Sequence, residues 1–161
     1  MPYISPRMEW KVKPWGSIDR EEWHGIVRLR LDVFVVEQDC PYSDLDGKDV
    51  RAWHVWVEDE PVAKGGAVVG CTRVLAPGVG YAEPSIGRVA TRRDKRGDGI
   101  GKALMERSIE VCQENWPGQG IRISAQCYLE GWYSDLGFLA VGEPYLEDGI
   151  PHVQMIRSGV A

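Results

Sequence analysis

The stretch Val89-Ala90-Thr91-Arg92-Arg93-Asp94-Lys95-Arg96-Gly97-Asp98-Gly99-Ile100-Gly101-Lys102-Ala103-Leu104 decides the fold. A β-type run, Ser85 to Thr91, enters a basic, glycine-studded turn, and an amphipathic helix leaves it. Such a turn presents unpaired backbone N–H groups and the positive end of a helix dipole to an anion. Gly97, Gly99 and Gly101 carry no Cβ, so a bulky ligand can approach the backbone. Between residues 92 and 102 five cations face two carboxylates, in a chain of net charge −5. The turn is built for a phosphate-bearing ligand.

Spacing narrows the choice of phosphate. A Walker A loop needs Gly-x-x-x-x-Gly-Lys-Ser/Thr, but Arg96 stands at the first glycine and Ala103 at the hydroxyl position. A dinucleotide fingerprint needs Gly-x-Gly-x-x-Gly, and Lys102 replaces its third glycine. What remains is Arg96-x-x-Gly99-x-Gly101, which resembles the Arg/Gln-x-x-Gly-x-Gly/Ala turn of the GNAT superfamily of N-acetyltransferases. A second block supports the resemblance about 30 residues on. There Tyr133-x-x-x-Gly137-Phe138 is similar to the family's Tyr-x-x-x-Gly-Phe block, with Gln126 where the family usually has Asn. Finer likeness points to the ElaA-like branch. It lies in Leu31 to Gly47, in Ile86-Gly87-Arg88-Val89 and in Glu147-Asp148-Gly149-Ile150-Pro151-His152, and it spans roughly Ser17 to Arg157.

Length and composition bound the class. The 161 residues suit one domain with a real core, here residues 1–161 with 1–7 as a flexible tail. Apolar residues at 43% and charged ones at 27% are ordinary globular values. The acidic balance speaks against nucleic-acid and anionic-membrane partners. No apolar run reaches membrane-spanning length, and the first residues lack a signal-peptide core, so a cytoplasmic location is expected. Cys40, Cys71, Cys112 and Cys127 form no Cys-x-x-Cys pair and read as reduced, packing cysteines. His24, His54 and His152 form no ligand-like cluster, so no metal is expected.

The periodicities predict alternating elements. Strands are expected at Met8–Lys13, Ala52–Glu58, Ala67–Leu75, Ser85–Thr91 and Ile121–Cys127, with helices Ile100–Glu114 and Glu130–Leu136. A helix capped by Ser17 should run to about Val36, with Gly25 a weak point in its middle. Asp39 to Asp49 is polar and Pro/Gly-bearing and reads as a loop or a single helical turn. Phe138–Glu143 and Val153–Arg157 read as strands flanking a loop from Pro144 to His152.

The resemblance implies an α/β GNAT acyl-CoA N-acyltransferase fold: a central mixed, mostly antiparallel twisted sheet of about six to seven strands flanked by helices. It also implies acetyl-CoA (coenzyme A) as cofactor, with Arg96, Gly97, Asp98, Gly99, Ile100, Gly101 and Lys102 cradling the pyrophosphate. Val89 and Thr91 would pair with the pantetheine arm as an added strand, and the Val89 or Ala90 N–H would polarise the thioester carbonyl. Gln126, Trp132 and Tyr133 would line the same cleft. Tyr133 suits the role of general acid, since a phenol near pKa 10 can protonate a thiolate of about 8.5. For the base, Glu37, Asp44, Asp46, His54, Glu143, Asp148 and His152 stay open, as does a water chain. Glu37, Asp44, Asp46, Asp148 and His152 are expected to form the acceptor pocket. The acceptor is a small-molecule or peptide amine, and a homodimer is compatible with the chain. An alternative from another class is a coenzyme-A-binding regulatory module without turnover.

Overall fold

Runs of β-branched and aromatic residues assemble into one seven-stranded sheet. The computed structural model describes residues 7–159. Its strands are β1 Glu9–Pro14, β2 Ala52–Glu58, β3 Val68–Leu75, β4 Ser85–Thr91, β5 Ile121–Gln126, β6 Phe138–Glu147 and β7 Ile150–Arg157. Their order across the sheet is β1-β2-β3-β4-β5-β7-β6. Neighbours run antiparallel except β4 and β5, which are parallel. This is the mixed, mostly antiparallel sheet that the family resemblance implies. Of the expected tail, residues 1–6 lie outside the described residues, and Arg7 makes an ion pair with Glu60 at 3.5 Å.

Helices α1 (Arg20–Arg30), α2 (Ile100–Asn115) and α3 (Glu130–Ser134) complete the layers. α2 buries Ile100, Leu104, Met105, Ile109 and Cys112 in one core with Val55, Val57, Val69 and Ile123. α1 seals the opposite face, where Ile26, Leu29 and Val33 meet Trp56, Val68, Cys71 and Ala90. Side chains alternate across a strand, so Val55 and Val57 enter the first core and Trp56 the second. Each fully buried aliphatic side chain contributes about 1.5–3 kcal/mol. Gly25 has a packing reason: a Cβ there would stand 2.8 Å from Val68 Cγ2, so glycine lets α1 seat against β3.

Two expectations need correction. The cap of α1 is Asp19, not Ser17. Asp19 accepts from the Glu22 N–H while the Glu22 side chain accepts from the Asp19 N–H, a reciprocal pair that satisfies two end donors at once. Ser17 lies upstream in the short turn Trp15–Ser17. Nor is Pro144–His152 a loop. β6 and β7 continue through it to a two-residue turn, Asp148 (φ 51°) and Gly149 (φ 77°). Two successive positive φ values define the type I′ turn that suits the twist of a hairpin, and Asp-Gly is its favoured dipeptide. Pro144 is tolerated because β6 is the sheet edge and its register shifts between Val141 and Tyr145. Pro151 lies just past the end of β5, where no strand pairs with β7 on that side.

The α1 N-terminus is also tied to β1. Lys11 Nζ and Lys13 Nζ lie 2.8 and 2.9 Å from Glu22 Oε2, and Lys11 also reaches Glu58 at 3.1 Å. Burial alone would raise the Glu22 carboxyl. The Asp19 N–H and the two ammonium groups outweigh it and hold the carboxyl at about 2. A carboxylate depressed in the folded state contributes stability above its unfolded pKa of about 4.3 and loses it as pH falls. Melting temperature should therefore drop between about pH 4 and pH 2, and that drop should be shallower in Glu22→Gln when both are followed by circular dichroism.

Candidate active site

β4 and β5 share one register pair, Ser85 with Arg122, and then diverge. Arg122 N–H donates to Pro84 O at 2.9 Å at the same point. Beyond it a cleft of about 1260 Å3 opens between the strands. Volumes of 300–1,000 Å3 suffice for one small ligand, so this cleft has room for more than one.

The backbone of β4 is shaped for this opening. Arg92 N–H donates to Val69 O at 2.8 Å, and the Ala90 N–H is directed at the Cys71 thiol on β3. N–H groups alternate along a strand, so those of Val89 and Thr91 face the open edge. The register between β3 and β4 slips across Cys71 to Arg73, and Arg88 there takes φ 50°. A non-glycine residue at positive φ needs surrounding contacts to hold it. Arg88 has them: Nε lies 3.0 Å from Asp44 Oδ1, Nη2 donates to Asp44 O at 2.9 Å, and the guanidinium covers the Tyr42 ring at 5.4 Å.

At one end of the cleft lies the glycine turn. Gly97 and Gly99 have φ of 89° and 81°, and Gly99 caps α2 without any side-chain hydrogen bond. The first N–H bonded back within the helix is that of Ala103, to Gly99 O. The N–H groups of Ile100, Gly101 and Lys102 are therefore left to an external acceptor. A Cβ on Gly101 would stand 3.4 Å from the Trp132 ring, so the turn and α3 close on each other there. Arg96 is less free than the sequence implied. Its Nη1 is 2.7 Å from Glu37 Oε2 and its Nε donates to Thr91 O at 3.0 Å. Arg92 is held by Asp94 at 2.6 Å.

Tyr133 stands in the cleft wall between Trp132 and Phe138, with ring centroids at 4.9 and 6.1 Å. Burial pushes its phenol well above the usual value, with a smaller contribution from Tyr128. Of the cofactor residues named from the sequence, Val89, Ala90, Thr91, Arg96, Gly97, Gly99, Ile100, Gly101, Lys102, Gln126, Trp132 and Tyr133 all line the cleft. Asp98 is exposed and lies outside that lining.

The two segments expected to form the acceptor pocket meet. After Arg30 the first helix widens into a π-helical stretch, Leu31–Glu37, with Gln38 N–H bonded to Val33 O and Cys40 N–H to Val35 O. Such stretches gather at functional sites. Cys40 Sγ then donates to Asp148 O at 3.5 Å, joining this segment to the hairpin turn. Glu37, Asp46, Asp148 and His152 line the cleft. Asp44 does not: it is buried, with Arg30 Nε at 2.9 Å and Arg88 on its other oxygen. Asp46 is split between cleft and scaffold, since Arg73 and Arg88 hold it at 2.8 and 3.3 Å. Of the remaining base candidates, Glu143 is exposed outside the cleft. His54 is buried against Trp15 and Trp23 and donates to Asp49 O, and burial lowers its pKa.

The sequence pattern of the family described as acetyltransferase (GNAT) domain matches residues 35–158. The chain belongs to the GNAT acetyltransferase family. The protein ElaA of Escherichia coli (strain K12) is 36% identical over 154 residues, covering 93% of this chain and 96% of that protein. The crystal structure of Escherichia coli ElaA has a TM-score of 0.83 at 34% identity, covering 94% of this chain and 99% of that one. An acyl-CoA N-acyltransferase from Pseudomonas aeruginosa gives 0.86 at 35%, with the same coverage. This is an ElaA-like GNAT chain with the acyl-CoA N-acyltransferase fold. GNAT proteins generally use acetyl-CoA as co-substrate, and the uncapped α2 N-terminus beside two left-handed glycines fits a pyrophosphate. Among the described residues no helix is long and apolar enough to cross a membrane, and no group of three His, Cys, Asp or Glu could hold a metal ion.

Gly101→Val should weaken acetyl-CoA binding at least about tenfold in calorimetry. The new branched side chain meets Trp132 and narrows the approach to the N–H groups, while valine at a helical position costs little stability relative to glycine.

Proposed function

We propose that this GNAT chain transfers an acetyl group from acetyl-CoA to a primary amine by direct attack, with both substrates in the one cleft. The observation that carries the reading is the divergence of β4 from β5, which leaves the Val89 and Thr91 N–H groups on an open edge between the glycine turn and Tyr133. Acetyl-CoA supplies an activated thioester. The pantetheine arm adds to the open edge of β4, and the Val89 N–H stabilises negative charge as it develops on the carbonyl oxygen. Ala90 is left out of that role, because its N–H turns toward β3.

Tyr133 acts as the general acid for the departing sulfur. Its hydroxyl makes no hydrogen bond among the described residues, so its proton is free to be given. The acceptor is a small-molecule or peptide amine entering between the π-helical segment and the β6–β7 turn, where Glu37, Asp46, Asp148 and His152 offer polar contacts. The carboxylates on this side favour a cationic acceptor.

Tyr133→Phe should lower thiol release by about 10²-fold, within the range of general acid catalysis, and leave the acetyl-CoA dissociation constant unchanged. Equal turnover would remove Tyr133 from the mechanism. Tight acetyl-CoA binding without thiol release across a broad amine panel would favour a coenzyme-A-binding regulatory module instead.

Glu37→Gln separates the two halves of the cleft. It breaks the ion pair with Arg96, so acetyl-CoA should bind a few-fold more tightly, on the order of the 0.2–1 kcal/mol of an exposed pair. The KM for the amine should rise if Glu37 also meets the acceptor.

A further inference from the structure

One titratable side chain in the cleft wall, given above only a polar contact with the acceptor, is built for more. His152 lies on β7, opposite Gln126 of β5 and Tyr145 of β6, with its side chain 10% exposed. Paired residues of neighbouring strands point to one face of a sheet. Ser124, Gln126, Tyr145 and His152 therefore share a face, and three of them line the cleft.

Geometry fixes the tautomer of this ring. Nδ1 lies 2.7 Å from the Ile150 carbonyl oxygen. A carbonyl oxygen only accepts, so Nδ1 carries a proton and donates it to that bond. In the neutral ring the lone pair is then on Nε2. The Glu147 carboxylate stands 3.3 Å from Nε2. A lone pair gains nothing from a facing carboxylate, whereas a proton on Nε2 turns the contact into an ion pair. The ring is stacked on Tyr145 at 6.1 Å and 24°, and the Tyr145 hydroxyl is hydrogen-bonded to the Ser124 hydroxyl. The surroundings fix the orientation and tautomer of the imidazole and place a carboxylate where a proton on Nε2 would meet it.

We propose that His152 is the general base of the acyl transfer, its Nε2 taking a proton from the acceptor ammonium, and that Glu147 is the positioning residue that stabilises the resulting imidazolium. The proposal rests on the acyltransferase reading and deepens it. An ammonium cannot attack; once Nε2 has taken one proton, the nitrogen lone pair forms the N–C bond to the thioester carbonyl carbon. The C–S bond breaks and its electron pair leaves on sulfur. Tyr133 protonates that sulfur and is reprotonated with the second proton that the nitrogen sheds. The proton on His152 passes to water at the half-exposed Glu147. The products are amide, thiol and one released proton.

The test compares nucleophiles of different charge. Butylamine is an ammonium at neutral pH, whereas hydroxylamine is largely uncharged there. With butylamine, His152→Gln should lower kcat/KM by about 10²- to 10⁴-fold at neutral pH. That deficit should shrink about tenfold for each pH unit toward the pKa of the amine. With hydroxylamine the loss should be at least about tenfold smaller than with butylamine after the uncatalysed rate is subtracted, since no proton has to leave the nitrogen before it attacks. Acetyl-CoA affinity should not change in either case.

Besides Glu147, the ring has Tyr145 of β6 stacked on it and Gln126 and Ser124 of β5 on the same face, while Asp148 of the turn and Tyr81 line the same cleft. Removing the carboxylate in Glu147→Gln disfavours the imidazolium, so the acid limb of the butylamine profile should move to lower pH. A purely structural clamp would leave that limb in place. This second variant, at a half-exposed position, decides the matter if His152→Gln does not fold.

Unchanged butylamine kinetics in His152→Gln, an equal loss with both nucleophiles, or an unmoved acid limb in Glu147→Gln would each overturn the base. Those outcomes differ from failure of the underlying reading, in which the wild type binds acetyl-CoA and releases no thiol with either nucleophile.

Discussion

The divergence of β4 from β5 after a single register pair is the constraint on which the rest of the site depends. A strand edge with unpaired N–H groups is ordinarily a hazard in a folded chain, because buried donors must find acceptors. Here the edge is buried on its flanks and open along the cleft, so its unmet donors become a binding surface. The glycine turn at the end of β4 extends that surface with the N–H groups of the α2 terminus. The two donor sets lie in sequence continuity, from Val89 to Lys102. A single extended ligand with an amide-bearing arm and a phosphate end satisfies both.

The open edge survives because charge beneath it is fully paired. Arg30, Arg73 and Arg88 interleave with Asp44, Asp46 and Asp49, at distances from 2.7 to 3.3 Å. Three cations and three carboxylates leave no net charge to solvate. Breaking one member strands its partners, which typically costs 3–5 kcal/mol in a buried network. Asp44 and Asp46 come from the loop after the π-helical segment, Arg73 from β3, and Arg88 from the strained position in β4. The network thus fixes the loop proposed to meet the acceptor to β4, the strand whose backbone is proposed to pair with the co-substrate. Burial and pairing together explain why a polar, proline-bearing loop is held in one conformation.

Local signals made the strands, the α2 helix and the glycine turn legible, because each follows from periodicity or from residues adjacent in sequence. The mixed, mostly antiparallel character of the sheet was available only through the family resemblance, and the order of its strands, set by pairings distant in sequence, had no local signal. Asp19 and Glu22 spelled a capping box three residues apart, yet Ser17 drew the boundary upstream because it is also a good cap. The Asp148-Gly149 turn was equally legible, and Pro144 and Pro151 obscured it; both prolines are tolerated where a strand lacks a partner on one side. The pairing of Asp44 with Arg30 and Arg88 had no local signal at all. It joins residues 14 and 44 positions apart, and a carboxylate in a polar loop reads the same whether it faces substrate or scaffold. Arg96 shows the same limit: its place in the motif was clear, while its pairing with Glu37, 59 residues away, was not.

The proposed role of Tyr133 as general acid has to meet the weakness that burial gives its phenol. In water a phenol near 10 is a poorer acid than a thiol of about 8.5, and the raised phenol of Tyr133 widens that gap if the sulfur is imagined in water. The sulfur is not in water. Desolvation penalises any anion, and in this same chain burial alone pushes the Cys112 thiol up to about 12. In the proposed reaction a thiolate leaving beside Trp132 and Tyr133 would be subject to the same penalty as the phenolate. Both acids are raised together, so the gap between them stays small while the cost of leaving sulfur charged grows. The environment that makes Tyr133 a weak acid therefore makes the departing sulfur a stronger base, and proton transfer between them remains within reach.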